Sequence, residues 1–149
     1  MIINKTGDLL KSDCQLIAHQ VNVYGVMGGG IARQIAELYP GCEQKYHEYC
    51  NKHDFSFDRL QCKVYYHDNG NIIIANIFSQ MEAPKNGTLT DYEALKIGLK
   101  LTKQFAKKFN LTIGIPHGIG CGIAGGDWNI VHNILKEVYT YYDITVYRL

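Results

Sequence analysis

The stretch Ile113-Gly-Ile-Pro-His-Gly-Ile-Gly-Cys-Gly-Ile-Ala-Gly-Gly-Asp-Trp128 is the most informative in the chain. It reads as a short apolar strand, then a loop with five glycines, then an Asp placed to open a helix. Glycine loses more conformational freedom on folding than any other residue. So dense a run makes sense where backbone N–H groups must converge on a ligand, most often an anion. A second loop of the same design lies upstream. Residues 15–21 (Gln-Leu-Ile-Ala-His-Gln-Val) form an apolar strand that runs into Asn22-Val-Tyr-Gly-Val-Met-Gly-Gly-Gly30, and a helical pattern follows. Two strand, glycine-loop, helix units in one small chain predict an α/β fold that grips a phosphate-bearing ligand from two sides.

The 149 residues suit a single domain, 1–149, with a core large enough to need no covalent staples. Hydrophobic residues make up 46% and charged residues 19%, which places the chain among soluble globular proteins. A net charge of +1 predicts no direct nucleic-acid footprint. Cys14, Cys42, Cys50, Cys62 and Cys121 form no C-x-x-C pair, so no metal is expected. Their odd number and the lack of a signal-peptide pattern predict a cytoplasmic protein. No apolar run approaches the ~20 residues needed to span a bilayer, so no membrane partner is expected.

Strands are expected at 1–5, 15–21, 60–67, 71–78, 111–115 and 143–149, and helices at 30–39, 42–53, 91–110 and 127–139. Asp68-Asn-Gly70 marks a hairpin between the third and fourth strands. Residues 79–90 contain Pro84, Asn86 and Gly87 and read as a surface loop. Alternating strands and helices predict a mostly parallel sheet covered on both faces, with one antiparallel pair from the hairpin. The second strand is nearly all apolar and belongs at the centre.

Several residues can carry chemistry, each with a plainer alternative. Asn22 can bond a ribose hydroxyl or cap its own loop. Gly28-Gly-Gly30 admits a diphosphate to a helix N-terminus and exceeds what a tight turn needs. It lacks the Gly-Lys-Ser/Thr ending of a P-loop. His19 is the only ionisable group in its strand. It is either a hydrogen-bonded core residue or an acid–base or nucleophilic catalyst. Asp127 reads first as a helix N-cap and second as a general acid or water-orienting base. Asp8 can accept from an exocyclic amine or close an Asx-turn. Cys121 reads as a small buried residue, because a cysteine phosphatase cradle needs Arg six positions later, where Asp127 stands.

With these loops in place, the chain resembles the macro domain, an ADP-ribose-binding module. The matching pieces are Thr6-Gly-Asp-Leu9, Ile17-Ala-His-Gln-Val-Asn22, Gly25-Val-Met-Gly-Gly-Gly-Ile-Ala32, Ile74-Ala-Asn-Ile-Phe-Ser-Gln80, Asp91-Tyr-Glu-Ala-Leu95, Ile115-Pro-His-Gly-Ile-Gly-Cys-Gly122 and Ile144-Thr-Val-Tyr-Arg-Leu149. Their order and spacing span essentially the whole chain. The likeness is greatest to the branch of yeast-type ADP-ribose-1″-phosphate phosphatases and terminal ADP-ribose protein glycohydrolases. It implies a three-layer α/β/α fold with a six-stranded mixed sheet and about four flanking helices.

The resemblance also implies roles. Asp8 and the Leu9 amide would hold adenine, and Leu149 would pack near it. Val26, Met27, Gly28, Gly29, Gly30 and Ile31 would take the distal ribose and one phosphate. Gly120, Cys121, Gly122, Ile123, Ala124 and Gly125 would wrap the diphosphate. Phe78 and Gln80 would border the distal ribose beside Asn22. His19 matches a position the phosphatases need. On the hypothesis of a metal-free phosphatase it would attack phosphorus or activate water, and Asp127 would protonate the leaving hydroxyl or orient water. The glycohydrolases place a Lys where this chain has Ser79-Gln80 and an Asp where it has Ala124. That closes the covalent Lys–ribose route and leaves Glu82 as the candidate replacement base. The implied activity is hydrolysis of ADP-ribose-1″-phosphate without a cofactor. The alternatives are a reader of ADP-ribose and a glycohydrolase for ADP-ribosylated macromolecules.

Overall fold

The computed structural model describes all residues, 1–149. Its strands are β1 (Ile2–Thr6), β2 (Leu16–Val21), β3 (Val64–Asp68), β4 (Ile73–Phe78), β5 (Gln80–Lys85), β6 (Thr88–Thr90), β7 (Ile113–Pro116) and β8 (Ile144–Arg148). Six of them form one sheet in the order β1-β8-β7-β2-β4-β3. Within it every pairing is parallel except β3 with β4. The apolar β2 lies inside the sheet between β7 and β4, as its composition predicts.

Helices α1 (Gly30–Leu38), α2 (Cys42–Lys52) and α3 (Phe57–Leu60) lie over one face. Helices α4 (Tyr92–Phe109) and α5 (Trp128–Val138) cover the other. Strand alternation divides the core accordingly. Ile17, Val21, Ile74 and Phe78 point into the α1/α2 layer. Leu16, Ala18, Ala75 and Ile77 point into the α4/α5 layer. This is the expected three-layer α/β/α arrangement. Among its helices, α4 and α5 are capped by Asp91 and Asp127, whose carboxylates accept from Ala94 N and Asn129 N.

Two expectations are corrected. Residues 79–90 are not an irregular loop. They hold the hairpin of β5 and β6, which stands outside the main sheet. Asn86 and Gly87 turn it with left-handed φ angles of 53° and 80°. Its mostly exposed first strand lacks the apolar alternation that announces a strand. The third strand of the sheet begins at Val64 rather than residue 60, because Phe57–Leu60 closes a helical turn that buries Phe57 and Leu60. That turn, α3, adds a fifth helix to the expected four.

Candidate functional site

A cavity of about 1000 Å³ opens at the C-terminal ends of β2, β7 and β8, between the two glycine-rich loops. This is where ligands enter open α/β sheets, because helix N-termini and loop amides face that edge.

The first loop is held from below. The Asn22 side chain donates to Val26 O at 3.2 Å and accepts from Tyr24 N at 3.0 Å. Tyr46 OH donates to Asn22 Oδ1 at 2.8 Å. Glu43 accepts from Met27 N at 2.7 Å, and the Met27 side chain is fully buried. Gly25 has φ of 73° and packs so closely on α2 that a Cβ would lie 2.7 Å from His47 Cα. No side chain could occupy that position. Helix α1 starts behind Gly29, an N-cap with no side-chain bond. The first-turn N–H groups of α1 are therefore unspent at the cavity wall.

The second loop is stapled from the side by β6. Ser79 Oγ donates to Gln20 Oε1 at 2.6 Å, and Gln20 Nε2 donates to Thr90 Oγ1 at 3.0 Å. Thr90 Oγ1 in turn donates to Gly120 O at 2.6 Å. Thr88 Oγ1 and Leu89 N both donate to Ala124 O, at 2.7 and 2.8 Å. Gly126 N closes the loop on Gly120 O at 2.9 Å, and a Cβ on Gly126 would lie 2.4 Å from that oxygen. The carbonyls of Gly120 and Ala124 are thus consumed by the hairpin and by the loop itself.

His19 lines the cavity from β2 and is 1% exposed. Its register partner on β4 is Asn76, whose Oδ1 lies 2.7 Å from His19 Nε2. Asn76 Nδ2 donates to Tyr65 O, so Oδ1 is the acceptor facing His19. His19 therefore carries its proton on Nε2. Its buried Nδ1 has no partner. Burial pushes the imidazole pKa down to about 4, only partly opposed by the Asn76 bond, so the ring is neutral near pH 7.

The cavity brings together Asp8, Leu9, His19, Asn22, Val26, Met27, Gly28, Gly29, Gly30, Ile31, Gln80, Gly120, Gly122, Ile123, Ala124 and Leu149. Asp8 accepts from Leu10 N at 2.9 Å, which is the Asx-turn, the plainer of its two readings.

Four residues expected in the site lie outside the cavity. Phe78 is fully buried beneath it against Tyr46 and Tyr49. Cys121 turns its thiol to Ile119 O, and burial raises the thiol pKa. Gly125 and Asp127 line a separate cleft with Thr88, Thr90 and Tyr92. Asp127 caps α5, and its own N–H is bonded to Tyr92 OH at 2.9 Å. Its expected partnership with His19 is therefore not formed here: Asp127 does not line the cavity that His19 lines. Glu82, the candidate replacement base, is exposed and caps Phe57 N at 2.7 Å.

Sequence reasoning missed Gln20, Asn76, Thr88 and Thr90. Asn76 becomes meaningful only once β2 and β4 pair in register. The Thr88-Leu-Thr90 alternation was the available signal for the staple. His117 and Arg148 also line the cavity; both lie inside the matching motifs, but neither carries an expected role there.

No family model matches the sequence. The chain is 27% identical over 169 residues to an ADP-ribose 1″-phosphate phosphatase of Saccharomyces cerevisiae, with 96% of each protein covered. It is 27% identical over 150 residues to a DNA ADP-ribosyl glycohydrolase of Mycobacterium tuberculosis, covering 93% of this chain and 39% of that protein. The relatives are thus hydrolases of two kinds. Among solved structures, the macrodomain of Mycobacterium tuberculosis DarG superposes with a TM-score of 0.83 at 26% identity, covering 100% of this chain and 98% of that one. Thermosipho africanus DarTG in complex with ADP-ribose shares the fold, with a TM-score of 0.75 at 21% identity over 97% of this chain and 41% of that one.

Proposed function

We propose that this chain, a macro domain by fold, binds ADP-ribose and hydrolyses ADP-ribose-1″-phosphate to ADP-ribose and phosphate. The observation that carries the reading is the pair of glycine loops facing each other across one cavity. Carbonyls of the second loop are tied back, and the N–H groups of α1 are left toward the ligand. Such an array suits a diphosphate without metal or lysine. Adenine lies at the Asp8 and Leu9 end with Leu149 beside it. The diphosphate lies between residues 28–31 and 120–124. The distal ribose and its 1″-phosphate lie over His19, Asn22 and Gln80.

In this arrangement His19 Nδ1, buried in the free protein, must be uncovered by a side-chain shift on substrate binding. It then takes a proton from water as the oxygen bonds to phosphorus. The P–O1″ bond breaks, and the proton passes to the departing ribose hydroxyl. A base with a pKa of about 4 is weak at pH 7. Most of the acceleration therefore falls to loop amides aimed at the phosphoryl oxygens.

A reader without turnover is the second reading. Asp8 is the only carboxylate side chain lining the cavity, and it sits at the adenine end, so no side-chain carboxylate shares the proton transfer.

Phosphate release from ADP-ribose-1″-phosphate decides between them. Release by wild type that falls at least ~100-fold in His19→Ala and persists in Asp127→Asn supports the phosphatase. Calorimetric binding of ADP-ribose with no release establishes the reader. Absence of both binding and release rejects both readings.

A further inference from the structure

All the formal charge of ADP-ribose is on its diphosphate, and its adenine and both riboses are neutral at pH 7. The one permanently cationic side chain of this cavity stands elsewhere. Of the 15 Lys and Arg residues, only Arg148 lines it, at the end of β8 beside Leu149. His117 stands next to it at the end of β7, where its N–H donates to Tyr147 O at 2.8 Å. The His117 ring packs on Trp128 with centroids 4.4 Å apart, and Trp128 packs on His132 at 5.8 Å. Neither His117 nor Arg148 makes a salt bridge. Partial burial, then the charges of Arg148 and His132, hold the His117 pKa below its ordinary value. The corner therefore presents the Arg148 charge, which no salt bridge answers, and a neutral His117 ring beside the uncharged end of the ligand.

We propose that His117 and Arg148 form an anion subsite at the nucleoside end of the cavity, one that takes a phosphomonoester on the adenosine ribose. The inference rests on the ADP-ribose orientation given above. The preferred ligand is then an ADP-ribose bearing a third phosphate at the 2′ or 3′ oxygen. Arg148 supplies the planar fork that suits phosphate, and His117 adds a second donor whose ring is steadied by Trp128. A 2′-phosphate points to ligands made from a 2′-phosphorylated dinucleotide. A 3′-phosphate points to a nucleotide that continues a nucleic-acid chain.

The test is competition binding at pH 7 with two ligand sets. The first is AMP, adenosine 2′,5′-bisphosphate and adenosine 3′,5′-bisphosphate. The second is ADP-ribose and 2′-phospho-ADP-ribose. Wild type is compared with Arg148→Gln and His117→Gln. Hydrogen bonds to charged groups contribute enough to predict a preference of roughly 10-fold or more for the additional phosphate. That preference should collapse toward one in Arg148→Gln and shrink in His117→Gln. The better bisphosphate identifies which oxygen bears the phosphate. Equal binding with and without the additional phosphate overturns the subsite and leaves the ADP-ribose reading standing. A preference that survives in both variants overturns the assignment to these residues. A bisphosphate preference without any binding of ADP-ribose keeps the subsite and rejects the reading above.

Discussion

His19 and Asn76 stand side by side on adjacent parallel strands, with Nε2 of the imidazole 2.7 Å from the amide oxygen. Because Asn76 Nδ2 is spent on Tyr65 O, the amide cannot flip, and the histidine must present an unprotonated Nδ1. Replacing the amide by a carboxylate removes the donor to Tyr65 O and sets a negative charge against the ring. Asn76→Asp should raise the His19 pKa from about 4 toward or above the ordinary value. An NMR titration of the ring protons checks this, and an unchanged midpoint would contradict the geometry.

The same burial makes acid sensitivity a property of the fold. The His19 pKa lies below its unfolded value of 6.5, so the unfolded chain binds the additional proton as pH falls. Stability from this group is complete above about 6.5 and is lost progressively as pH drops toward about 4, by roughly 3 kcal/mol over the whole window. Urea unfolding of wild type and His19→Gln at pH 7 and pH 4.5 tests it. The variant should lose markedly less stability on acidification, and parallel losses would refute the assignment.

Thr90 connects Gln20 to the carbonyl of Gly120, so its hydroxyl fixes how the second glycine loop stands. Thr90→Val leaves the Gln20 amide N–H without its partner and Gly120 O held by Gly126 N alone, at a cost of roughly 1–3 kcal/mol. The affinity for ADP-ribose should fall by roughly 5- to 150-fold if that cost is expressed in the loop. AMP, which does not reach as far along the loop, should lose less, and Thr90→Ser should recover most of the effect. Equal losses for both ligands would mean that Thr90 supports the fold rather than the loop.

Gly126 is needed for a different reason. Its φ is ordinary for any residue, but a Cβ would lie 2.4 Å from Gly120 O and 3.3 Å from Thr90 Oγ1. Gly126→Ala must push the loop open against its own closing hydrogen bond. Hydrogen exchange at Gly120 to Gly126 should accelerate, and ADP-ribose binding should weaken, while amides of β2 and β4 keep their protection. Unchanged loop exchange would show that the loop yields without cost.

Much of the fold is legible in the sequence because it depends on local pattern. Apolar runs mark the sheet strands, and Asp91 and Asp127 mark helix starts. The hairpin at residues 80–90 is not legible. Gln80 to Lys85 is largely exposed and contains Pro84, and what makes it a strand is pairing with Thr88–Thr90. Asp127 misleads for the opposite reason. Its spacing from the glycine loop is short in sequence, but the loop closes through Gly126 on Gly120 O, and the carboxylate is spent on capping α5 beside a separate cleft.

The layers, the central strand and the two glycine loops follow from local pattern, because strand period, helix period and glycine content are properties of a few consecutive residues. Tertiary structure alone decided which groups share the cavity and in what state. The Nε2 tautomer of His19 comes from Asn76, 57 residues away, and its lowered pKa from burial within the packed sheet. The hold on the second loop comes from Thr90, 30 residues before Gly120. Hydrogen bonds and desolvation act across pairings that no local pattern specifies, and those pairings set the chemistry of the site.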